Sequence, residues 1–152
     1  MVPRWLAADA AAAKRTADRG TPGLDQLALA LLLESGRYDR HLRRMRSEYS
    51  ARRDALVAAL ARHAPEVRVS GLAAGFHAVA HLPAGTDVTY LVDEARTRGV
   101  GVHPMTVLRA DRAPDPPQLV LGFGNVGVRD IKAGIETIAD LLGQSETRPM
   151  LR

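Results

Sequence analysis

Residues 36–60 read GRYDRHLRRMRSEYSARRDALVAAL. The stretch holds a helix stop, a new helix start and an apolar stripe set among arginines. Leu42, Met45, Tyr49, Leu56 and Leu60 recur at spacings of three, four, seven and four, so they share one face of a long helix. Arg37, Arg40, Arg43, Arg44, Arg46, Arg52 and Arg53 mostly fill the other faces. Gly36 supplies a left-handed cap for whatever precedes it. Pro65 closes the segment, which predicts one helix over about 38–62. Asp39, Glu48 and Asp54 lie within helical reach of Arg43, Arg44, Arg52 and Arg53, so part of the charge is compensated locally. The arginines are spread over several faces, which points to a structural and interface role rather than a DNA-reading stripe.

On the N-terminal side, VPRWL (2–6) reads as the end of a strand followed by a turn, with Pro3 barred from a central strand position. An alanine-rich helix over about 7–19 stops at Gly20-Thr21-Pro22-Gly23, a strong breaker cluster. Residues 24–35 form a second helix with leucine on nearly every face, which predicts burial almost all round. No strand follows to cover it, so residues 1–36 read as a piece of a larger layer.

On the C-terminal side the pattern changes. Val67-Arg68-Val69 is a short strand. Phe76, Ala78, Ala80 and Leu82 share one face of a strand over 76–82. Thr86-Asp87 can cap a helix over 88–98 that Gly99 ends. A strand over 100–103, a proline-rich loop, a strand over 118–123 and a helix over 128–142 complete the series. In that last helix Ile131, Ile135, Ile138, Leu141 and Leu142 point inward. Alternating strands and helices make this part an α/β unit.

Composition excludes several classes. The 152 residues are 46% hydrophobic and 25% charged, ordinary for a globular protein. The longest apolar run, Leu27 to Leu33, is far short of a membrane span. Lys14, Arg15, Asp18 and Arg19 interrupt the alanine run, so no signal peptide is read and a cytoplasmic location is expected. Without cysteine there is no disulfide framework, thiolate metal site or cysteine nucleophile. The net charge of +4 rests on nineteen arginines and two lysines, Lys14 and Lys132. Aromatic residues are only 4% and are not interleaved with the basic ones, as a single-strand stacking surface would require.

The segments LALALLLESG (27–36), RHLRRMRSEYSARRDAL (40–56), GLAAGFHAVAHLP (71–83) and LVLGFGNV (119–126) occur in an order and spacing that can be matched to a family. The chain resembles the C-terminal part of the aminotransferase-like domain of MocR-type transcriptional regulators in the GntR family. That domain belongs to the class I/II, fold type I group that depends on pyridoxal phosphate (PLP). The resemblance implies an α/β fold: a small C-terminal domain with a mostly antiparallel sheet, joined by a long helix to a helical remnant of a large domain. The implied divisions are 1–36 for the remnant, 37–64 for the connecting helix, 65–142 for the small domain and 143–152 for a flexible tail. It further implies PLP in the intact family, a homo-oligomer, and DNA binding only through a winged helix-turn-helix outside this chain.

The family's imine lysine would precede Met1 by this resemblance, and neither Lys14 nor Lys132 matches it. No catalytic or cofactor-binding residue is therefore assigned, and no cofactor is expected for the chain alone. In many aminotransferases an arginine in a pattern like LRLGF clamps the substrate carboxylate; here that place is Val120. Arg109 and Arg112, in the loop just before this strand, are the candidates for effector binding in its stead. The alternative is a C-terminal fragment of a PLP-dependent class I/II aminotransferase. A third class, a free-standing basic binding module, has no recognisable nucleic-acid motif behind it.

The histidines invite a metal but do not supply one. His77 and His81 share a face yet lie about 13 Å apart along a strand, and no carboxylate sits at a companion spacing. They and His103 read as solvent or interface residues. No glycine cluster matches a nucleotide fingerprint. Gly122-Phe123-Gly124-Asn125 reads as a packing turn, and no serine has the context of a hydrolase nucleophile.

Overall fold

The computed structural model describes residues 2–18, 22–73, 75–110 and 116–143. Two compact units divide the chain, residues 1–44 and 45–152.

The first unit is helical. A short 3-10 turn, Arg4–Leu6, leads into α1 (Ala7–Asp18), and α2 (Gly23–Glu34) precedes the start of the long helix α3 (Arg37–His63). The strand end expected at VPRWL is not found: Leu6 N–H donates to Pro3 C=O at 3.0 Å and closes a turn instead. Pro3, with φ fixed at −55°, is already shaped for that turn, and no described strand lies beside it to pair. Alanine favours α1 by its intrinsic propensity, and Lys14 pairs with Asp18 one turn on. Gly36 ends α2 at φ +65°, a backbone conformation that suits glycine. The all-round burial expected for α2 is also not found. It has no buried residue, and Leu24, Leu27 and Leu31 are exposed.

The second unit holds the core. Beyond the rest of α3 come β1 (Arg68–Ser70), β2 (His77–His81), α4 (Val88–Thr97), β3 (His103–Pro104), a 3-10 turn (Met105–Leu108), β4 (Gln118–Gly122), α5 (Val128–Thr137) and α6 (Ala139–Leu142). The sheet runs β1-β2-β4-β3, and each neighbouring pair is antiparallel. β4 thus inserts between β2 and β3, which α4 connects. Pro104 is tolerated because β3 is an edge strand.

Register decides which side chains share a face. Ala78 pairs with Leu121 and Ala80 with Leu119, and all four belong to one buried cluster with Leu56, Leu60, Leu91, Ile131, Ile138 and Leu142. The helices of this unit therefore cover one side of the sheet. Of the long helix's apolar stripe, Leu56 and Leu60 enter this cluster, whereas Leu42, Met45 and Tyr49 are half-buried. Asp87 caps α4 as expected, its carboxylate accepting from Tyr90 N–H at 3.0 Å.

Two expectations need correcting here. Phe76 lies outside β2 and is exposed, so it does not join Ala78 and Ala80 in the core. The last helix is not continuous: it breaks at Ile138, where φ is −111° and ψ is 11°. The carbonyl of Thr137 accepts from Arg98 Nη1 at 3.1 Å, and its hydroxyl bonds back to Ala133 C=O at 2.8 Å. Leu141 N–H then closes a tighter turn on Ile138 C=O at 3.0 Å. A carbonyl drawn outward and a hydroxyl bonding back along the helix both bend it.

Candidate functional site on the open sheet face

The face of the sheet turned away from the core gathers the unit's polar side chains. Arg68 pairs with His81, and His81 with Gln118. Ser70 pairs with Val79, Val79 with Val120, and Val120 with His103. His77 stands opposite Gly122, where the missing side chain leaves room for the ring: a Cβ on that glycine would lie 3.5 Å from His77 Cδ2. Alternation along each strand puts Arg68, Ser70, His77, Val79, His81, His103, Gln118 and Val120 on this one face. None of them is a carboxylate.

His81 is the polar centre. Ser70 Oγ lies 2.7 Å from its Nε2, and Gln118 Nε2 lies 3.1 Å from its Nδ1. The trio is a hydrogen-bonded bridge across three strands, β1, β2 and β4. Sequence analysis expected a solvent or interface histidine and missed this bridge. The signal lay in the alternation His77, Val79, His81 against Ala78 and Ala80, but register was needed to find the partners.

Val120 sits in the middle of the face and is only 5% exposed, yet it stands apart from the core cluster. The 3-10 turn at Met105–Leu108 lies against its strand. Arg109 follows that turn directly; it is half-buried and takes part in a polar or electrostatic interaction. Arg112 lies outside the described residues.

At the end of the face that His77 occupies, Arg52 binds two elements. Its Nη1 donates to Gly124 C=O, and its Cζ stands 5.5 Å from the centre of the Tyr49 ring. Tyr49 packs on Phe76 with ring centres 4.4 Å apart, and Phe123 N–H donates to Phe76 C=O at 2.8 Å. A Cβ at Gly124 would come within 2.9 Å of Phe76 Cβ, so close approach requires glycine there. The GFGN segment is accordingly a packing turn.

A third arginine works outside the face. Arg98 bonds Glu94 at 3.0 Å and Asp140 at 2.6 Å besides the Thr137 carbonyl. The hydrogen bond from Arg98 holds the Asp140 carboxyl below its ordinary range, and the two carboxylates hold Arg98 above its own.

An imine-linked cofactor does not fit the residues present. Lys14 is exposed on α1 and paired with Asp18, and Lys132 is exposed on α5. Among the described residues no cluster of three or more His, Cys, Asp or Glu could hold a metal ion, and no helix is long and apolar enough to cross a membrane.

No family model matches the chain. It is 31% identical over 116 residues to the uncharacterized HTH-type transcriptional regulator YdeL of Bacillus subtilis, covering 74% of this chain and 24% of the regulator. It is 28% identical over 131 residues to aromatic-amino-acid aminotransferase 1 of Thermococcus litoralis, covering 86% of this chain and 31% of the enzyme. Among solved structures, the kynurenine aminotransferase of Pyrococcus horikoshii superposes with a TM-score of 0.75 at 27% identity, over 86% of this chain and 32% of that one. The matched part thus spans about a quarter of the regulator's length and about a third of the aminotransferases'.

Proposed function

We propose a regulatory role for this chain, on the premise that it belongs to the aminotransferase-like family as the C-terminal part of that fold. In this reading it is the effector-sensing and dimerising portion of a MocR/GntR-like transcriptional regulator. DNA is contacted by a winged helix-turn-helix elsewhere in the intact protein, and PLP is bound by the intact domain rather than by these residues alone.

The observation that carries the reading is the centre of the open face. Val120 is apolar and nearly buried, with Val79 and His103 as its registered neighbours. A catalytic domain that had to fix an amino-acid carboxylate in this place would favour a guanidinium, whose planar fork forms two parallel bonds. What stands here instead is a set of hydrogen-bonding groups around Val120, with Arg68 on the outer strand β1 and Arg109 at the margin as the proposed contact for an anionic effector. Such a surface suits binding more than turnover. The alternative, a fragment of an aminotransferase, shares the fold and has matched relatives, but position 120 favours the regulator. Self-association belongs to the same proposal and is supported by the exposed leucines of α2, since apolar patches of this kind mark contact surfaces.

The test is made on the intact gene product. Its reading frame upstream of Met1 is sequenced, and the purified product is assayed on DNA from its own promoter and on amino acids with a 2-oxo acid. The expected product encodes a helix-turn-helix segment, retains the promoter fragment and shows no transamination. A product that turns over amino acids and ignores the DNA overturns the proposal.

A further inference from the structure

Arg98 ends α4 and reaches across to the break between α5 and α6. Its backbone is fixed by the turn that follows: Gly99 N–H donates to Arg96 C=O at 2.9 Å and Val100 N–H to Ala95 C=O at 2.8 Å, with Gly99 at φ +80°. This paired bonding closes many helices. Glu94, one turn back on α4, fixes the head of the side chain at 3.0 Å. From that arm Nη1 donates to the Thr137 C=O at 3.1 Å and to Asp140 Oδ1 at 2.6 Å. Beyond Gly99 the chain enters β3, whose His103 stands beside Val120 on the open face.

The break has no ordinary cause in its own sequence. Residues 136–141, Glu-Thr-Ile-Ala-Asp-Leu, contain neither proline nor glycine, and a sharp break without them comes from a group inserted into the ladder of helical bonds. In an unbroken helix Leu141 N–H would donate to Thr137 C=O. Here that oxygen faces the guanidinium, and Leu141 N–H turns to Ile138 C=O at 3.0 Å. The back bond from the Thr137 hydroxyl does not suffice: Thr16 makes the same bond to Ala12 at 3.2 Å, and α1 runs on past it to Asp18. Nor does the core demand a break. Ile131, Ile135, Ile138 and Leu142 would fall within about 60° of one another on an unbroken helix, and all four are buried as it stands.

We infer that Arg98 is a latch that splits one helix in two. While its guanidinium holds the Thr137 carbonyl, residues 139–142 stay against α4; when it lets go, α5 and α6 join as one helix over 128–142. Opening takes the arginine from the Thr137 carbonyl and gives that oxygen to Leu141 N–H, so neither state leaves it without a donor. It also releases Ile138 from the sparsely populated backbone region it occupies at φ −111°, ψ 11°. Two carboxylates, Glu94 from α4 and Asp140 from α6, keep the latch shut. Both are partly exposed, so solvent screens the pairs and the latch is held lightly.

Nuclear magnetic resonance of the whole chain at neutral pH, labelled with carbon-13 and nitrogen-15, reads the state of the latch at Ile138. The wild type should keep the large amide–Hα coupling of φ −111°. In Arg98→Met, which keeps an unbranched stem and removes the donors, the coupling should fall to roughly half, as the backbone moves to a helical φ of about −63°. The Cα shifts of residues 138–140 should move to helical values with it. Asp140→Asn should move both readouts the same way and less far, and Arg96→Met, at an exposed arginine paired with Asp93, should leave them unchanged. The sign separates a latch from a mere prop: Cα shifts of 138–140 moving toward coil values in Arg98→Met would show that the arginine holds the segment up rather than apart, and would overturn the inference. So would a small coupling already present in the wild type, or a folded Arg98→Met chain with Ile138 unchanged. Should circular dichroism show Arg98→Met unfolded, Asp140→Asn carries the test, and an unchanged Ile138 there overturns it.

Discussion

Helices α2 and α5 show how little apolar content says about a core. α2 reads GLDQLALALLLE and has no buried residue; α5 reads VRDIKAGIET, is far less apolar, and buries Ile131 and Ile135. The difference lies in arrangement. The isoleucines of α5 repeat on one face and meet a sheet whose inner positions, Ala78, Ala80, Leu119 and Leu121, are registered opposite one another. The leucines of α2 go round the helix, and no strand lies among the described residues of their unit. Hydrophobic stabilisation follows the area removed from water rather than the number of leucines. Every residue of the core lies between Ala55 and Leu142.

The largest effect expected from this contrast comes from the same truncation made in each region. Leu119 is 0% exposed, opposite the equally buried Ala80, and Leu119→Ala leaves a cavity that should cost about 2–5 kcal/mol. Leu27 is 57% exposed, and Leu27→Ala should change stability by less than about 0.5 kcal/mol. Urea unfolding followed by circular dichroism measures both. Equal losses would break the comparison and mean that α2 is covered in solution; protein concentration would then show whether a second copy covers it.

A smaller effect is expected at a cap, where the regions also differ. α4 starts on Asp87, whose side chain holds Tyr90 N–H, whereas α2 starts on Pro22 with no side-chain cap. Asp87→Ala should cost about 1 kcal/mol, and Asp87→Asn or Asp87→Ser should restore most of it. A loss that neither replacement recovers would show that the carboxylate acts through something other than the cap.

What the sequence made legible was local. The cap at Asp87, the stops at Gly36 and Gly99, and the alternation of Ala78 and Ala80 are each set by a few neighbouring residues, so periodicity finds them. The resemblance carried the fold class and the antiparallel sheet further than periodicity could. The candidate site was far less legible. Its bridge joins Ser70, His81 and Gln118, which only strand register brings together, and the tie from Arg52 to Gly124 spans 72 residues. The break at Ile138 was hidden for the same reason, because the guanidinium that draws out the Thr137 carbonyl comes from α4's end.

That guanidinium sets up the smallest expected effect, a dependence on pH carried by Asp140 in the second unit. Asp140 is held below its ordinary range mainly by the hydrogen bond from Arg98, which stays protonated throughout. A carboxyl whose folded value is depressed contributes stability that is fully present above its unfolded value, about 3.9, and that is lost as pH falls through the folded value. The carboxylate is half exposed, so solvent screens the pair and the contribution is modest. Urea midpoints of the wild type and Asp140→Asn should therefore differ by a small, constant amount from neutral pH down to about 5 and converge below about 4. A gap at Asp140 that persists unchanged to pH 2 would mean that the side chain stabilises the α5–α6 break by its shape and hydrogen bonding alone, with its charge contributing nothing.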